Sequence, residues 1–240
     1  MGTKHTDFII INGINTLNLG ISVEELPSFT PAQHMYETNT LPGRDGYVLK
    51  DQERCEGNIY PATLCLHNDN PYALDEIAEL FRGEVTVCFS NMPDRFFKGF
   101  ISNKISVEEF IRNEVYTFPV SFNCQPYGYD YKGIEENRID ANTVYTVTNP
   151  CNCTAKPTFT ILPNGSKDIE IYINDKVALT INNKSHTFIV DCENKLCYLE
   201  DQSAFIRTKG KFIEIPPYST FTFKVTNCAT GSVKWNWRWY

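Results

Sequence analysis

Four histidines, nine cysteines and 29 Asp and Glu residues are the side chains of this 240-residue chain able to carry catalysis or hold a metal. Their spacing argues against both. His5, His34, His67 and His186 form no H-E-x-x-H or comparable ligand pattern. The chain holds neither a glycine-rich phosphate loop nor a G-x-S-x-G elbow. Cys151-Asn152-Cys153 is the one tight cysteine pair, whereas a structural zinc site takes four ligands, usually as two such pairs. It reads as a loop with two free thiols. The odd cysteine count, with no basic-then-apolar leader over the first residues, leads to an expectation of reduced thiols rather than a disulfide framework. Cys192 and Cys197 flank the turn Glu193-Asn194-Lys195 and are expected to face each other across a hairpin. The carboxylate pairs Glu24-Glu25, Glu108-Glu109 and Glu135-Glu136 lie in polar stretches, where solvated charge is the simpler reading. The chain therefore reads as a non-enzyme with no cofactor and no metal. A glycoside hydrolase is the catalyst that would leave least trace, because its two carboxylates come from distant strands.

Two aromatic groups remain as candidate binding elements. Arg95-Phe96-Phe97-Lys98 places two phenylalanines between cations, a composition suited to stacking on bases. Trp235, Trp237 and Trp239 alternate in the last strand, with Lys234, Asn236 and Arg238 on its other face. Three aligned indoles suit a saccharide platform, but a terminal strand burying its aromatic face in its own sandwich is the more ordinary arrangement. Charge bears on the first group. Residues 1–130 carry 9 Lys and Arg against 18 Asp and Glu, a net of −9, while residues 131–240 carry 13 against 11, a net of +2. Such an acidic first half is a poor grip for phosphate. Framework is the better reading of residues 95–98.

The elements that would position these groups are mostly strands. Phe8 to Ile11 is followed by Asn12-Gly13, the signature of a type I′ turn, and Leu17, Leu19 and Ile21 continue with period 2. A strand is expected from His34 to Leu41, then a tight exposed loop at Pro42, Gly43, Arg44, Asp45 and Gly46, then a strand from Ile59 to Leu66. One helix is expected over about 71–82, with Asn70 as N-cap and Gly83 just past the end. Its apolar face would be Leu74, Ile77, Ala78 and Phe81. Val85, Val87 and Phe89 alternate in the next strand, which breaks at Asn91-Met92-Pro93-Asp94. Tyr116, Phe118, Val120, Phe122 and Cys124 share one face of another. Pro119 within that run implies an edge or a bulge. Residues 131–240 read as roughly eight closely spaced strands, ending in Phe212 to Ile215, Phe221 to Val225 and Val233 to Tyr240, as in a sandwich or jelly roll. Two domains follow, 1–130 and 131–240. No apolar window of about 18 residues exists to cross a membrane.

The order of these motifs resembles the distal tail proteins, Dit, of long-tailed non-contractile bacteriophages. The resemblance rests on a strand ending in Asn12-Gly13, the Pro-Gly-Arg-Asp-Gly loop at 42–46, and a short amphipathic helix and strand. It continues with Pro93-Asp94-Arg95-Phe96-Phe97-Lys98, the Phe122 to Tyr127 segment Phe-Asn-Cys-Gln-Pro-Tyr, and the Trp/Arg/Tyr-rich terminus. It is strongest over the first 130 residues. It implies a mainly β protein with an N-terminal ring-forming β-sandwich carrying one helix, and a C-terminal galectin-like β-sandwich. It implies a structural virion protein, assembled in the host cytoplasm, forming hexameric rings at the tail tip, singly or back to back. Partners would be the tail tube protein, the tail-associated lysin hub and a receptor-binding protein, with no sequence-specific nucleic-acid binding and no membrane insertion. Pro42 to Gly46 and Pro93 to Lys98 are the expected interface segments. The competing reading is a carbohydrate-binding module using Trp235, Trp237 and Trp239.

Overall fold

The computed structural model describes residues 7–67, 75, 77–111, 114–201 and 203–240, with backbone alone at 53, 109 and 110. The chain divides into two compact units, residues 1–128 together with Tyr240, and residues 129–239.

The first unit contains Ile9–Ile11 (β1), Ile14–Asn15 (β2), Ile21–Glu25 (β3), Gln33–Asn39 (β4), Val48–Glu56 (β5) and Asn58–His67 (β6). It continues with Glu84–Phe89 (β7), Arg95–Ile101 (β8), Glu108–Ile111 (β9) and Val115–Asp130 (β10), the last running across the division. One sheet has the order β2-β1-β7-β8-β10-β6-β3, with β9 also on β10, and β4 and β5 form a separate two-stranded sheet. Alternation builds the core: Ile9, Ile11, Leu64, Leu66, Val85, Val87, Phe89, Phe118, Val120 and Phe122 all lie inside. Each such side chain contributes about 1.5–3 kcal/mol on leaving water.

Asn12 (φ 50°) and Gly13 (φ 82°) make the expected turn. The period-2 run expected beyond it does not form. Thr16–Leu19 is instead a 3-10 helix, capped by Asn15, whose side chain accepts from the Leu17 N–H. The cause is Thr16, whose buried hydroxyl accepts from the Ile9 N–H at 3.2 Å and so turns the chain inward. The start of the expected 71–82 helix, including Asn70 and Leu74, lies outside the described residues. Its end is the 3-10 turn Ala78–Phe81, followed by Gly83 at φ 74°. Leu80 is buried, Ile77 and Phe81 pack against the core, and Ala78 is exposed. The tighter winding brings Leu80 inward where a regular helical face would have placed Ala78.

Pro119 sits in a local gap. On the side away from β6, β10 pairs with β9 at Val115–Thr117, and β8 joins farther along. At Pro119 the side chain of Asn103 stands in for a strand, donating to the Pro119 carbonyl at 2.9 Å and accepting from the Ser121 N–H at 2.7 Å. A residue without an N–H costs nothing there.

The second unit contains a short helix, Tyr131–Ile134 (α1), then Asn137–Ile139 (β11), Tyr145–Thr148 (β12), Thr158–Pro163 (β13), Ile169–Ile173 (β14), Lys176–Ile181 (β15) and Phe188–Asp191 (β16). Leu196–Leu199 (β17), Thr208–Gly210 (β18), Thr220–Thr226 (β19), Cys228–Lys234 (β20) and Arg238–Trp239 (β21) complete the chain. The sheets β11-β20-β13-β16-β17 and β12-β19-β14-β15-β18 share one core of Phe159, Ile161, Phe188, Val190, Ile171, Leu179, Phe223 and Val225 with their neighbours. Asn174 and Asp175, at φ 48° and 61°, form the turn between β14 and β15. Two expectations fail. The Phe212 to Ile215 stretch is not a named strand; Ile213 and Ile215 are buried, and Ile215 makes a single bridge to Ala155. The strand expected from Val233 to Tyr240 is interrupted at Asn236, which takes φ 54° and bonds to the Gly133 carbonyl, the Lys156 carbonyl and the Thr158 hydroxyl.

Candidate assembly surfaces

The 42–46 loop is the tip of the β4–β5 hairpin. Gly43 (φ 79°) and Gly46 (φ 84°) occupy the left-handed region, and the Arg44 N–H donates to the Leu41 carbonyl at 3.2 Å. All five loop residues are exposed. The hairpin around them is unusual for a soluble surface: Tyr36, Leu41, Tyr47 and Leu49 are 52%, 50%, 63% and 54% exposed. Among the described residues, no side chain of β4 or β5 belongs to the buried cluster of the unit. At its root the His34 ring lies 5.4 Å from that of Tyr240, which in turn lies 5.6 Å from Tyr127. Among the described residues the buried Nδ1 of His34 has no hydrogen-bond partner, and it stands 3.8 Å from an Asp51 carboxylate oxygen. The hairpin, here called the arm, thus combines an aromatic root with four exposed large apolar side chains.

The 93–98 segment is built differently. Phe96 and Phe97 alternate along β8 and are both buried. Phe97 packs in an aromatic group with Tyr60 and Phe89 at 5.0 and 6.0 Å between ring centroids, and Phe89 meets Phe122 edge-on at 5.7 Å. The Arg95 guanidinium lies over the Phe29 ring at 5.7 Å. Pro93, Asp94 and Lys98 are exposed. The paired phenylalanines are framework, and no base can stack between them. The two expected interface segments thus lie on separate sheets, one on the arm and one within the main sheet.

The three tryptophans do not form an exposed platform. Trp235 and Trp237 are 5% and 6% exposed and stack on each other at 5.5 Å with an 11° interplanar angle. Trp235 also meets Phe221 and Phe223 edge-on. The break at Asn236 ends the simple alternation, so Trp235 and Trp237 enter the sandwich core while Trp239 packs at its margin. It also separates Arg238 from Lys234 and Asn236, with which simple alternation grouped it on one face. Arg238 is buried, donating to the Thr154 carbonyl at 2.8 Å and to the Glu193 carboxylate at 2.7 Å. Lys156 approaches the same carboxylate at 3.5 Å. Burial pushes the neighbouring Tyr129 phenol up, opposed by the Arg238 charge. This is a clamp with every charge paired.

The nine cysteines are free thiols. Burial pushes Cys124, Cys192 and Cys197 up to about 12, which removes their nucleophilicity at neutral pH. Across the β16–β17 hairpin, Cys197 pairs with Val190 rather than Cys192. Among the described residues no three His, Cys, Asp or Glu side chains gather as a metal site, and no helix is long and apolar enough to cross a membrane.

No protein-family model and no curated protein matches the chain. Solved structures do. The Dit hub protein of phage SPP1, from the adsorption apparatus of a phage infecting Gram-positive bacteria, matches with a TM-score of 0.68 at 15% identity, covering 95% of this chain and 97% of that one. Chains of the phage P2 baseplate in its activated conformation match at 8% identity over 95% of this chain and 96% of theirs, with TM-scores of 0.55 for the calcium form and 0.56 for the strontium form. The likeness is one of fold: the chain has a mainly β, Dit-like fold along nearly its whole length.

Proposed function

We propose that this chain is a structural subunit of a bacteriophage tail tip. It assembles into a hexameric ring that joins the tail tube to the tail-associated lysin hub and the receptor-binding apparatus. The observation that carries this reading is the Dit-like fold over 95% of the chain and 97% of the SPP1 hub protein. Two features of the molecule support it. The arm exposes four large apolar side chains that its own unit does not cover, and an isolated patch of that kind marks a contact with another chain. A ring needs a heterologous interface whose rotation closes, and a projecting arm that reaches a neighbour's flank supplies one. The tip residues 42–46 and the exposed Pro93, Asp94 and Lys98 are the proposed contacts.

Light scattering with negative-stain microscopy on the purified chain tests the reading. Six-subunit rings, single or paired, are expected. A strictly monomeric species at every concentration, remaining so when a tail tube protein is added, would overturn it.

A further inference from the structure

We propose a saccharide-binding site on the outer face of the second unit, at the β16–β17 hairpin, away from the buried tryptophans. A cavity of about 280 Å³ is lined there by Asp191, Asn194, Leu196, Tyr198 and Phe205. Its floor is apolar. Phe205 is 76% exposed, the highest value among the large apolar side chains described. It is held in place by its neighbours: the Leu199 N–H donates to the Ala204 carbonyl at 3.0 Å and the Ile206 N–H to the Cys197 carbonyl at 2.8 Å. Residues 204–206 therefore extend the free edge of β17, with Tyr198 and Phe205 bridged. Cys197 is buried and Leu199 and Ile206 pack against the core, so Leu196, Tyr198 and Phe205 project outward together. On β16, Asp191 is opposite Leu196 and joins the same face.

The wall is made of hydrogen-bond acceptors. Asp191 Oδ1 accepts from the backbone N–H groups of Glu193 and Asn194, and Oδ2 accepts from the Asn194 amide at 2.8 Å. Each carboxylate oxygen has two acceptor positions, so Oδ2 keeps one open. The Asn194 Oδ1 has no partner among the described residues, and its amide keeps a second N–H. A ligand that fits must offer adjacent O–H donors on one edge and an apolar C–H face beneath. A pyranose ring with vicinal hydroxyls meets both demands. The volume, at the lower limit of about 300 Å³ for small-molecule sites, suits a single ring rather than a folded partner.

The test is saturation-transfer NMR on the full chain with methyl glycosides of hexoses and N-acetylhexosamines. Magnetisation should pass to the ring C–H protons of at least one glycoside. Phe205→Ala and Asn194→Ala should each weaken binding by about tenfold or more, the loss of one good contact, while Phe205→Trp retains it. Circular-dichroism melts of these surface variants should match the parent. Silence toward every glycoside would overturn the proposal, as would binding unchanged in both alanine variants. Loss of ring assembly in Phe205→Ala without any glycoside signal would reassign the patch to a protein contact. Assembly is read separately by light scattering, so failure here leaves the tail-tip reading untouched.

Discussion

Cys124, Cys192 and Cys197 show how burial at single residues sets a property of the whole. Their thiols are pushed up to about 12, against about 8.5 in an unfolded chain. Between those values the unfolded state has released protons that the folded state still holds, so stability falls as pH rises. Each thiol contributes a slope of about 1.4 kcal/mol per pH unit in that window, and the slope is absent below about pH 8. Urea-unfolding midpoints measured from pH 7 to 10.5 should be level and then drop. A Cys192→Ala, Cys197→Ala variant should drop less steeply; an unchanged slope would show that other groups govern it. Arg238 teaches the complementary lesson. Nothing in its neighbours marks it as buried, because its partners Thr154 and Glu193 are 84 and 45 residues away.

At the scale of elements, what was legible was what local chemistry decides. Tyr116 to Cys124 alternates and packs as it alternates, because one face of β10 meets the core throughout. Asn12-Gly13 and Asn174-Asp175 turn because those residues tolerate positive φ. The interruption at Asn236 was not legible, since its geometry is held by Gly133, Lys156 and Thr158. Asn236→Ala loses two side-chain hydrogen bonds and leaves a left-handed residue without its local support, a cost of about 2–4 kcal/mol. Asn236→Gly relieves the backbone and should cost roughly half as much. Equal losses in chemical denaturation would show that the hydrogen bonds alone matter. The Pro-Gly-Arg-Asp-Gly tip was likewise readable, whereas the apolar flank of the arm was not. Large Tyr and Leu side chains in and beside paired strands normally announce a core-facing side, and only the tertiary structure reveals that Tyr36, Leu41, Tyr47 and Leu49 stand exposed.

For the molecule as a whole, the arm and the charge distribution make separate claims on assembly. Tyr47→Asp with Leu49→Asp should leave the fold intact, because no arm side chain among the described residues enters the buried cluster, yet shift the proposed rings toward monomers by more than tenfold in concentration. Rings that persist unchanged would remove the arm from the interface. In the proposed ring, the net charge of −9 over residues 1–130 would repel a passing duplex rather than retain it. Mixing assembled protein with duplex DNA at low salt should leave the DNA's electrophoretic mobility unaltered. A salt-sensitive complex would point to a lumen lined by Lys and Arg.

The β4–β5 arm has one more consequence, for a subunit that has not yet met its neighbours. A glycine-bearing tip between two strands that, among the described residues, pair only with each other is the kind of site where proteases cut first. In the host, surplus subunits would be nicked there and cleared, while docked ones escape because their neighbours cover the same residues. If the arm is the ring contact proposed above, it thereby also sets the lifetime of whatever is left out of the particle.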